Sequence, residues 1–306
     1  MRIREIDIAG NGIGLRLHKP IIDELGIPYQ FIRLPDSLDD KTNMHSHPSR
    51  MLIIGTPIYK HKTHLIYGIE NYPVILCEKP IGNLMKDICE LQKYLREKTV
   101  SVYVNYQLRF LDIANMVQTS LCADNAISYS FTYNSSARIQ QNLPNWYRDF
   151  SKGGGVLFSV LPHILDFILF LGNDIVHMEV LNFNKTSDSS ALDNITLRLI
   201  SALGVPITID IDTTANHDRF ILLIQYKKKK LCYDFISDSE IQFDDIASYP
   251  NGSLSSIEEI PWRRGFRRLL TTILLNDSDK YLANIADAVS VHQILSQIID
   301  KLNLDK

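Results

Sequence analysis

Over the first third of the chain, short unbroken apolar runs alternate with longer stretches of helical period. Residues 2–9 read as a strand that runs straight into a glycine-bearing turn, and a helix over about 15–25 follows, ended by Gly26 and Pro28. Residues 29–34 predict a second strand. The runs MLIIG at 51–55 and VILC at 74–77 are continuously apolar, as expected of strands buried on both faces. Helices over about 61–71 and 83–98 and a strand over 100–106 complete the alternation. Strand following helix in this way predicts right-handed crossovers and a doubly wound parallel sheet. The stretch 35–50 is polar and loop-like.

Beyond residue 108 the texture changes. Strands are expected at 126–133, 177–183, 195–200, 207–213, 220–226 and 230–235, joined by short polar turns without helices between most of them. That pattern predicts a largely antiparallel sheet and an α+β domain. One long helix, about 155–171, enters early, and an amphipathic helix at 285–302 closes the chain. Lys227 to Lys230 is the one like-charge block, and it reads as a solvated hairpin tip.

Composition narrows the function classes. The 306 residues are 45% hydrophobic and 22% charged, with a net charge of −3, which suits a folded protein of two domains. No basic stripe points to nucleic acid. The start of the chain lacks the features of a signal peptide, and the most apolar stretch, 156–172, is broken by Ser159, Pro162, His163 and Asp166, so no membrane span is expected. Cys77, Cys89, Cys122 and Cys232 are scattered, which reads as reduced thiols and a cytoplasmic protein.

The candidate chemistry begins at Gly10-Asn11-Gly12-Ile13, between the first strand and its helix. The first glycine permits a tight turn and the second lets backbone approach a pyrophosphate at a helix N-terminus. A third small residue is wanted three positions on, where Leu15 stands. The end of the second strand should read the adenosine ribose, and Arg33 and Asp36 point there to opposite cofactors, NADP and NAD. Cys77-Glu78-Lys79-Pro80 lies just past a buried strand, where α/β sheets place ligands. A desolvated lysine there could donate to a substrate oxygen.

Taken in order, these motifs resemble the Gfo/Idh/MocA oxidoreductases. Gly10-Asn11-Gly12 with His18 is similar to the family's glycine turn and trailing histidine, and Gly55-Thr56-Pro57 with His61 to its TP…H segment. Glu78-Lys79-Pro80 matches its EKP hallmark, and Tyr106-Gln107-Leu108-Arg109-Phe110 resembles its strand-end YNxRF. Trp146-Tyr147-Arg148-Asp149, then Gly153-Gly154-Gly155 with His163 and Asp166, look like its WR…GGG…H..D stretch.

The resemblance implies a Rossmann domain over 1–108, a substrate and oligomerisation domain over 109–284 with an open sheet, and a last helix, 285–306, packed back on the first domain. It implies hydride transfer between NAD or NADP and a secondary alcohol carbon of a sugar, cyclitol or nucleotide sugar. Lys79 and His163 would be the proton-handling residues. The cofactor would lie along Gly10, Asn11, Gly12, Ile13, Arg33, Thr56, Pro57, His61, Glu78 and Lys79. Arg109, Trp146, Tyr147 and Arg148 would join Lys79 and His163 in holding substrate. A homodimer or homotetramer is expected by the same analogy.

Ser159 stands where the family commonly carries an aspartate four residues before the histidine, and Ile58 where it often carries an asparagine. The Ser159 and Leu15 departures are what a non-catalytic, nucleotide-sensing or regulatory relative would show, and that is the alternative function. A second alternative is an enzyme of the same fold acting on a non-sugar carbonyl or imine. His45-Ser46-His47 has no acidic or cysteine partner at ligand spacing and reads as a polar loop, so no metal is expected.

Overall fold

The computed structural model describes residues 3–37, 47–121, 126–136, 143–185, 189–227, 229–236, 239–241, 261–276 and 280–304. They form two compact units. The first takes residues 1–107, 151–153 and 266–296, and the second 108–150, 154–265 and 297–306.

In the first unit, β1 (Glu5–Ala9), α1 (Lys19–Glu24), β2 (Tyr29–Ile32), β3 (Arg50–Ile54), α2 (His61–Asn71), β4 (Val74–Cys77), α3 (Met85–Leu95) and β5 (Ser101–Val104) follow one another. The strands pair parallel in the order β5-β4-β3-β1-β2, the Rossmann arrangement that the alternation predicted. Met51, Leu52, Ile54 and Ile75 are wholly buried, as a sheet covered on both faces requires. A polar group sits among them: Asp7 of β1 is 1% exposed and accepts from Gln30 Nε2 at 2.9 Å, Tyr72 Oη at 2.7 Å and Arg50. Burial, chiefly, and the bond to Asp7 raise the Tyr72 phenol far above its usual value.

In the second unit, α4 (Asp112–Leu121) precedes β6 (Ala126–Ser136), and two short helices, α5 (Val156–Ser159) and α6 (Leu161–Phe170), precede the run of strands. These are β7 (Ile175–Asn184), β8 (Asn194–Ser201), β9 (Pro206–Ala215), β10 (Arg219–Tyr226), β11 (Lys230–Asp234) and β12 (Ser239–Ile241). The sheet order is β12-β11-β10-β6-β9-β8-β7, antiparallel throughout except for the β6–β9 pair. At the β10–β11 turn Lys227, Lys229 and Lys230 are exposed, while Lys228 lies outside the described residues.

The chain ends with α7 (Pro261–Leu274), β13 (Ala283–Asn284) and α8 (Ile285–Leu302). β13 pairs antiparallel with β5 and so extends the first sheet. Asn284 caps α8: its Oδ1 accepts from the Ala286 backbone N–H at 2.7 Å, and Asp287 Oδ2 accepts from the Asn284 N–H at 2.8 Å. This is a reciprocal capping box, and it sets the start of that helix.

Two sequence expectations are corrected. The single helix over 155–171 is two helices, bent by 52° between 150–159 and 161–170. Pro162 has no N–H to give and its ring crowds the preceding turn, so the helix restarts there. The helix α7 was not anticipated, although Phe266, Leu269, Leu270 and Ile273 are buried at helical spacing along it. Among the described residues, no single helix is long and apolar enough to cross a membrane. The bent pair α5–α6 is core, with Val156, Leu161 and Ile164 wholly buried.

Candidate active site

The predicted cofactor residues of the first unit gather at the carboxyl ends of its strands, where open α/β sheets bind ligands. The turn after β1 is held against the turn after β3, since Gly55 N–H donates to Ala9 O at 2.7 Å. Gly10 has φ +112°, and a Cβ there would lie 2.3 Å from Gly55 O. Glycine is therefore required twice over, by backbone angle and by contact. A Cβ on Gly12 meets no atom within 4 Å, so its outer side is open. Asn11 and Gly12 are exposed and Ile13 half-buried. An open glycine at the start of a helix fits a dinucleotide pyrophosphate, which needs close approach to backbone N–H groups.

Leu15 does not obstruct the packing of that helix. It is 49% exposed and points away from the sheet. Gly14 takes the inner position, where a Cβ would stand 3.1 Å from Ile8 and 3.2 Å from Phe31. The third small residue is thus present one place early, and residues 14–18 form a wider π-helical turn.

Glu78 and Lys79 follow β4, with Glu78 N–H continuing the ladder to Ile54 O at 2.8 Å. Glu78 Oε1 accepts from His18 Nε2 at 2.8 Å and from Asn105 Nδ2 at 2.7 Å. Burial pushes the Glu78 carboxyl up, but the bond and charge of His18, then Lys79 and Asn105, hold it below its usual value. His18 is wholly buried and stacks on Phe266, with ring centroids 4.6 Å apart. Lys79 is half-buried, and loss of water lowers its ammonium to about 8 against the opposing pull of Glu78.

His61 serves the cofactor residues from below. It is 1% exposed, with Nδ1 2.7 Å from Pro80 O and Nε2 2.7 Å from Thr56 O. It ties the loop after β3 to the loop after β4, which makes it a positioning residue. Thr56 Oγ1 shares a hydrogen bond of 2.8 Å with His64 Nδ1, and burial lowers His64 to about 4. Pro57 is half-buried and Ile58 buried, where Ile58 packs against Gly153. Asn105 and His64 went unread in the sequence. Each sits at a strand end or one turn into a helix, beside a motif that was read.

In the second unit the glycine run is a bed for the 146–148 turn. A Cβ on Gly154 would stand 2.2 Å from Tyr147 O, and Gly155, at φ +81°, faces the Leu192 backbone at 2.7 Å. Trp146 and Tyr147 are half-buried and Arg148 is exposed. The Tyr147 hydroxyl shares a 2.7 Å hydrogen bond with Ser159 Oγ, the residue in the aspartate's place. His163 is 6% exposed and lies against Trp262 of α7, centroids 5.0 Å apart. The bend before α6 puts His163 in a first helical turn instead of mid-helix.

Arg109, expected among the substrate contacts, is paired inside the second unit. It is 4% exposed and forked onto Asp166, Nε to Oδ2 at 2.9 Å and Nη2 to Oδ1 at 2.6 Å. Two of its donors, Nε and Nη2, are thus taken up by the Asp166 carboxylate. No group of three or more His, Cys, Asp or Glu among the described residues could hold a metal ion. His45 and Ser46 lie outside the described residues, and His47 packs on Tyr72 at 4.8 Å.

Residues 24–106 match the Gfo/Idh/MocA model, an oxidoreductase family with an NAD-binding Rossmann fold. Glucose-6-phosphate 3-dehydrogenase of Bacillus subtilis (strain 168) is 20% identical over 128 residues, 40% of this chain. The match spans 37% of that curated relative's length. The WlbA dehydrogenase of Bordetella pertussis, solved with NADH and UDP-GlcNAcA, superposes with a TM-score of 0.75 at 13% identity, over 98% of this chain and 96% of that one. A super-repressor mutant of Gal80p from Saccharomyces cerevisiae superposes with a TM-score of 0.75 at 12% identity, over 98% of this chain and 95% of that one. At these identities the likeness is one of fold. The resemblance to that family and the α/β fold, a Rossmann-type parallel sheet with a second, largely antiparallel sheet, are borne out.

Proposed function

We propose that this chain, which carries the Gfo/Idh/MocA fold and a matching NAD-binding domain, is an NAD(P)-dependent oxidoreductase acting on a sugar, cyclitol or nucleotide sugar. Residues 1–108 would bind the cofactor and 109–284 the substrate. The observation that carries the reading is the convergence of the open Gly12 turn, the Thr56-Pro57 loop and Lys79 at the carboxyl ends of β1, β3 and β4. The names of the similar proteins support the substrate class, since one is a glucose-6-phosphate 3-dehydrogenase and another was solved with UDP-GlcNAcA.

A nicotinamide held at this site would supply the hydride acceptor or donor for the alcohol carbon. The chain's own residues handle the proton. An alcohol carbon gives up hydride only as its hydroxyl proton leaves, so a group titrating near neutrality must reach that oxygen. Lys79, at about 8, is divided between ammonium and amine near pH 8. As amine it accepts the hydroxyl proton during oxidation, and as ammonium it returns the proton during reduction. His163 is the second proton-handling residue in this reading. Glu78, held by His18 and Asn105, fixes the strand end that carries Lys79. Trp146, Tyr147 and Arg148 would contact substrate, on a turn that lies directly against Gly154.

The chain would work in the cytoplasm, where Cys77, Cys89 and Cys232 stay thiols. It would assemble as a homodimer or homotetramer, a reading supported by the exposed Val176, Leu181 and Phe183 on the sheet-edge strand β7. A regulatory reading rests on one feature, the hydroxyl of Ser159 in place of a carboxylate. Turnover of a sugar or sugar-nucleotide panel, read as NAD(P)H absorbance with Lys79→Ala and His163→Ala alongside, tests the enzyme. Activity in the unaltered chain and unchanged rates in both variants would reject the assigned roles. Cofactor binding without turnover of any substrate would favour the regulator.

A further inference from the structure

Glu78 and Lys79 adjoin in the chain, yet among the described residues the ion pair of Glu78 is with His18. Two side chains donate to Glu78, and both reach the same oxygen: His18 Nε2 lies 2.8 Å from Oε1 and Asn105 Nδ2 lies 2.7 Å from it. The sheet places Asn105 for this contact. Val104 of β5 pairs in register with Cys77 of β4, and the Asn105 N–H continues that ladder to Cys77 O at 2.9 Å. The amide therefore stands level with Glu78, one residue past the strands. Asn105 is 1% exposed, and its Oδ1 has no partner among the described residues, so the amide's side-chain bond goes to Glu78.

Resting on the proton-handling role proposed above for Lys79, we infer that Asn105 is a positioning residue. It holds the Glu78 carboxylate on His18 and away from Lys79, which leaves the lysine to exchange its proton with the substrate hydroxyl. A carboxylate within about 4–6 Å of an ammonium strongly favours the charged form. A lysine locked in that form cannot accept the proton of an alcohol. The titratable groups that act with Glu78 are Cys77 and Lys79 beside it in the chain, His18 from the turn after β1, and His61 from α2. Both His61 nitrogens are engaged by the Pro80 and Thr56 carbonyls, and burial keeps the Cys77 thiol protonated, so neither competes with Asn105 for Oε1.

The test is competitive labelling of the intact chain with acetic anhydride over a pH series, read peptide by peptide by mass spectrometry, which follows the Lys79 amine without turnover. In the unaltered chain Lys79 should titrate near 8. Asn105→Ala should cut its labelling at pH 7 by about tenfold, as the freed carboxylate closes on the ammonium. Asn105→Ser, too short to keep the bond, should do the same and serves if Asn105→Ala does not fold. Glu78→Gln should raise the labelling, and Asn105→Ala added to it should change nothing further, because the amide acts through the carboxylate. The pH midpoint of oxidation should move with the labelling midpoint, which a purely structural role would not cause. Labelling unmoved by the Asn105 variants, or moved equally in the Glu78→Gln background, overturns this inference and leaves the Lys79 role standing. Absence of turnover, or a turnover profile that ignores the labelling midpoint, overturns the Lys79 role and this inference together.

Discussion

Arg109 and Asp166 meet as a two-pronged ion pair inside the second unit, with 4% and 1% of their side chains exposed. The guanidinium also lies over the Phe170 ring, 5.0 Å from its centroid. Removing one partner leaves a charge in a site with little access to water, a loss of about 3–5 kcal/mol. Arg109→Ala and Asp166→Ala should therefore both lower the denaturation midpoint sharply in urea melts. Arg109→Ala with normal stability and a raised KM would assign Arg109 as a substrate contact.

Gly10 and Gly12 separate folding from binding. A Cβ at Gly10 collides with the Gly55 backbone, whereas one at Gly12 finds nothing within 4 Å. Gly10→Ala should destabilise the chain by about 1–3 kcal/mol, as strain and overpacking do. Gly12→Ala should melt near the parent temperature yet bind dinucleotide about tenfold more weakly, because the added methyl takes space that backbone approach to phosphate needs. Calorimetry beside a thermal melt reads both, and unimpaired binding by Gly12→Ala would place the cofactor elsewhere.

Lys79 should set the pH dependence of turnover. Its ammonium is lowered to about 8, so the amine that accepts the alcohol proton grows as pH rises through that value. Oxidation is expected to speed up through about pH 8, and reduction, which needs the ammonium, to slow over the same window. Lys79→Ala should lower kcat by roughly 10²–10⁴-fold, the usual yield of a positioned acid or base. A profile flat from pH 7 to 9 in the unaltered enzyme would contradict this role.

His292 of α8 should make the fold sensitive to acid. It is 3% exposed, and burial alone lowers it to about 4, from an ordinary value of 6.5. Between those values the unfolded chain binds the proton and the folded chain does not, so stability falls as pH falls through that window. The loss is about 1.4 kcal/mol per pH unit for one such group. Melting temperatures measured from pH 7 to 4 should drop, and His292→Gln should flatten part of that slope. A slope unchanged by His292→Gln would assign the acid sensitivity to other groups.

Asp7 tests the sheet that supports the cofactor turn. Its carboxylate accepts from Gln30, Tyr72 and Arg50 in an otherwise apolar layer. Asp7→Ala strands three donors, and a loss of about 3–5 kcal/mol is expected, seen as a lower urea midpoint. A midpoint within experimental scatter of the parent would show that water replaces the carboxylate.

Much of the first unit was legible because its signals are local. α2 at His61–Asn71 and β4 at Val74–Cys77 fall on the expected residues, since a continuous apolar run bounded by turn residues has few other readings. The end of the chain was equally plain: α8 at Ile285–Leu302 has its period and its capping asparagine in sequence. The motifs also carried the edge of the site, placing Gly10, Thr56, Glu78 and Lys79 at strand ends before any coordinates. α7 was missed although its signal is local too: Phe266, Leu269, Leu270 and Ile273 keep helical spacing, with Arg263, Arg264, Arg267 and Arg268 before and between them.

By itself the sequence determined which elements form and which strand ends carry reactive side chains, because period and turn chemistry act over a few neighbouring residues. Tertiary structure alone decided which side chain faces which. Arg109 finds a partner 57 positions away, in Asp166. Gly14, not residue 15, meets Ile8 and Phe31, because a π-turn rotates the helix on the sheet. Lys60 claims Asp36 from 24 positions away. Contacts of that kind depend on how distant segments pack, and no spacing along the chain encodes them.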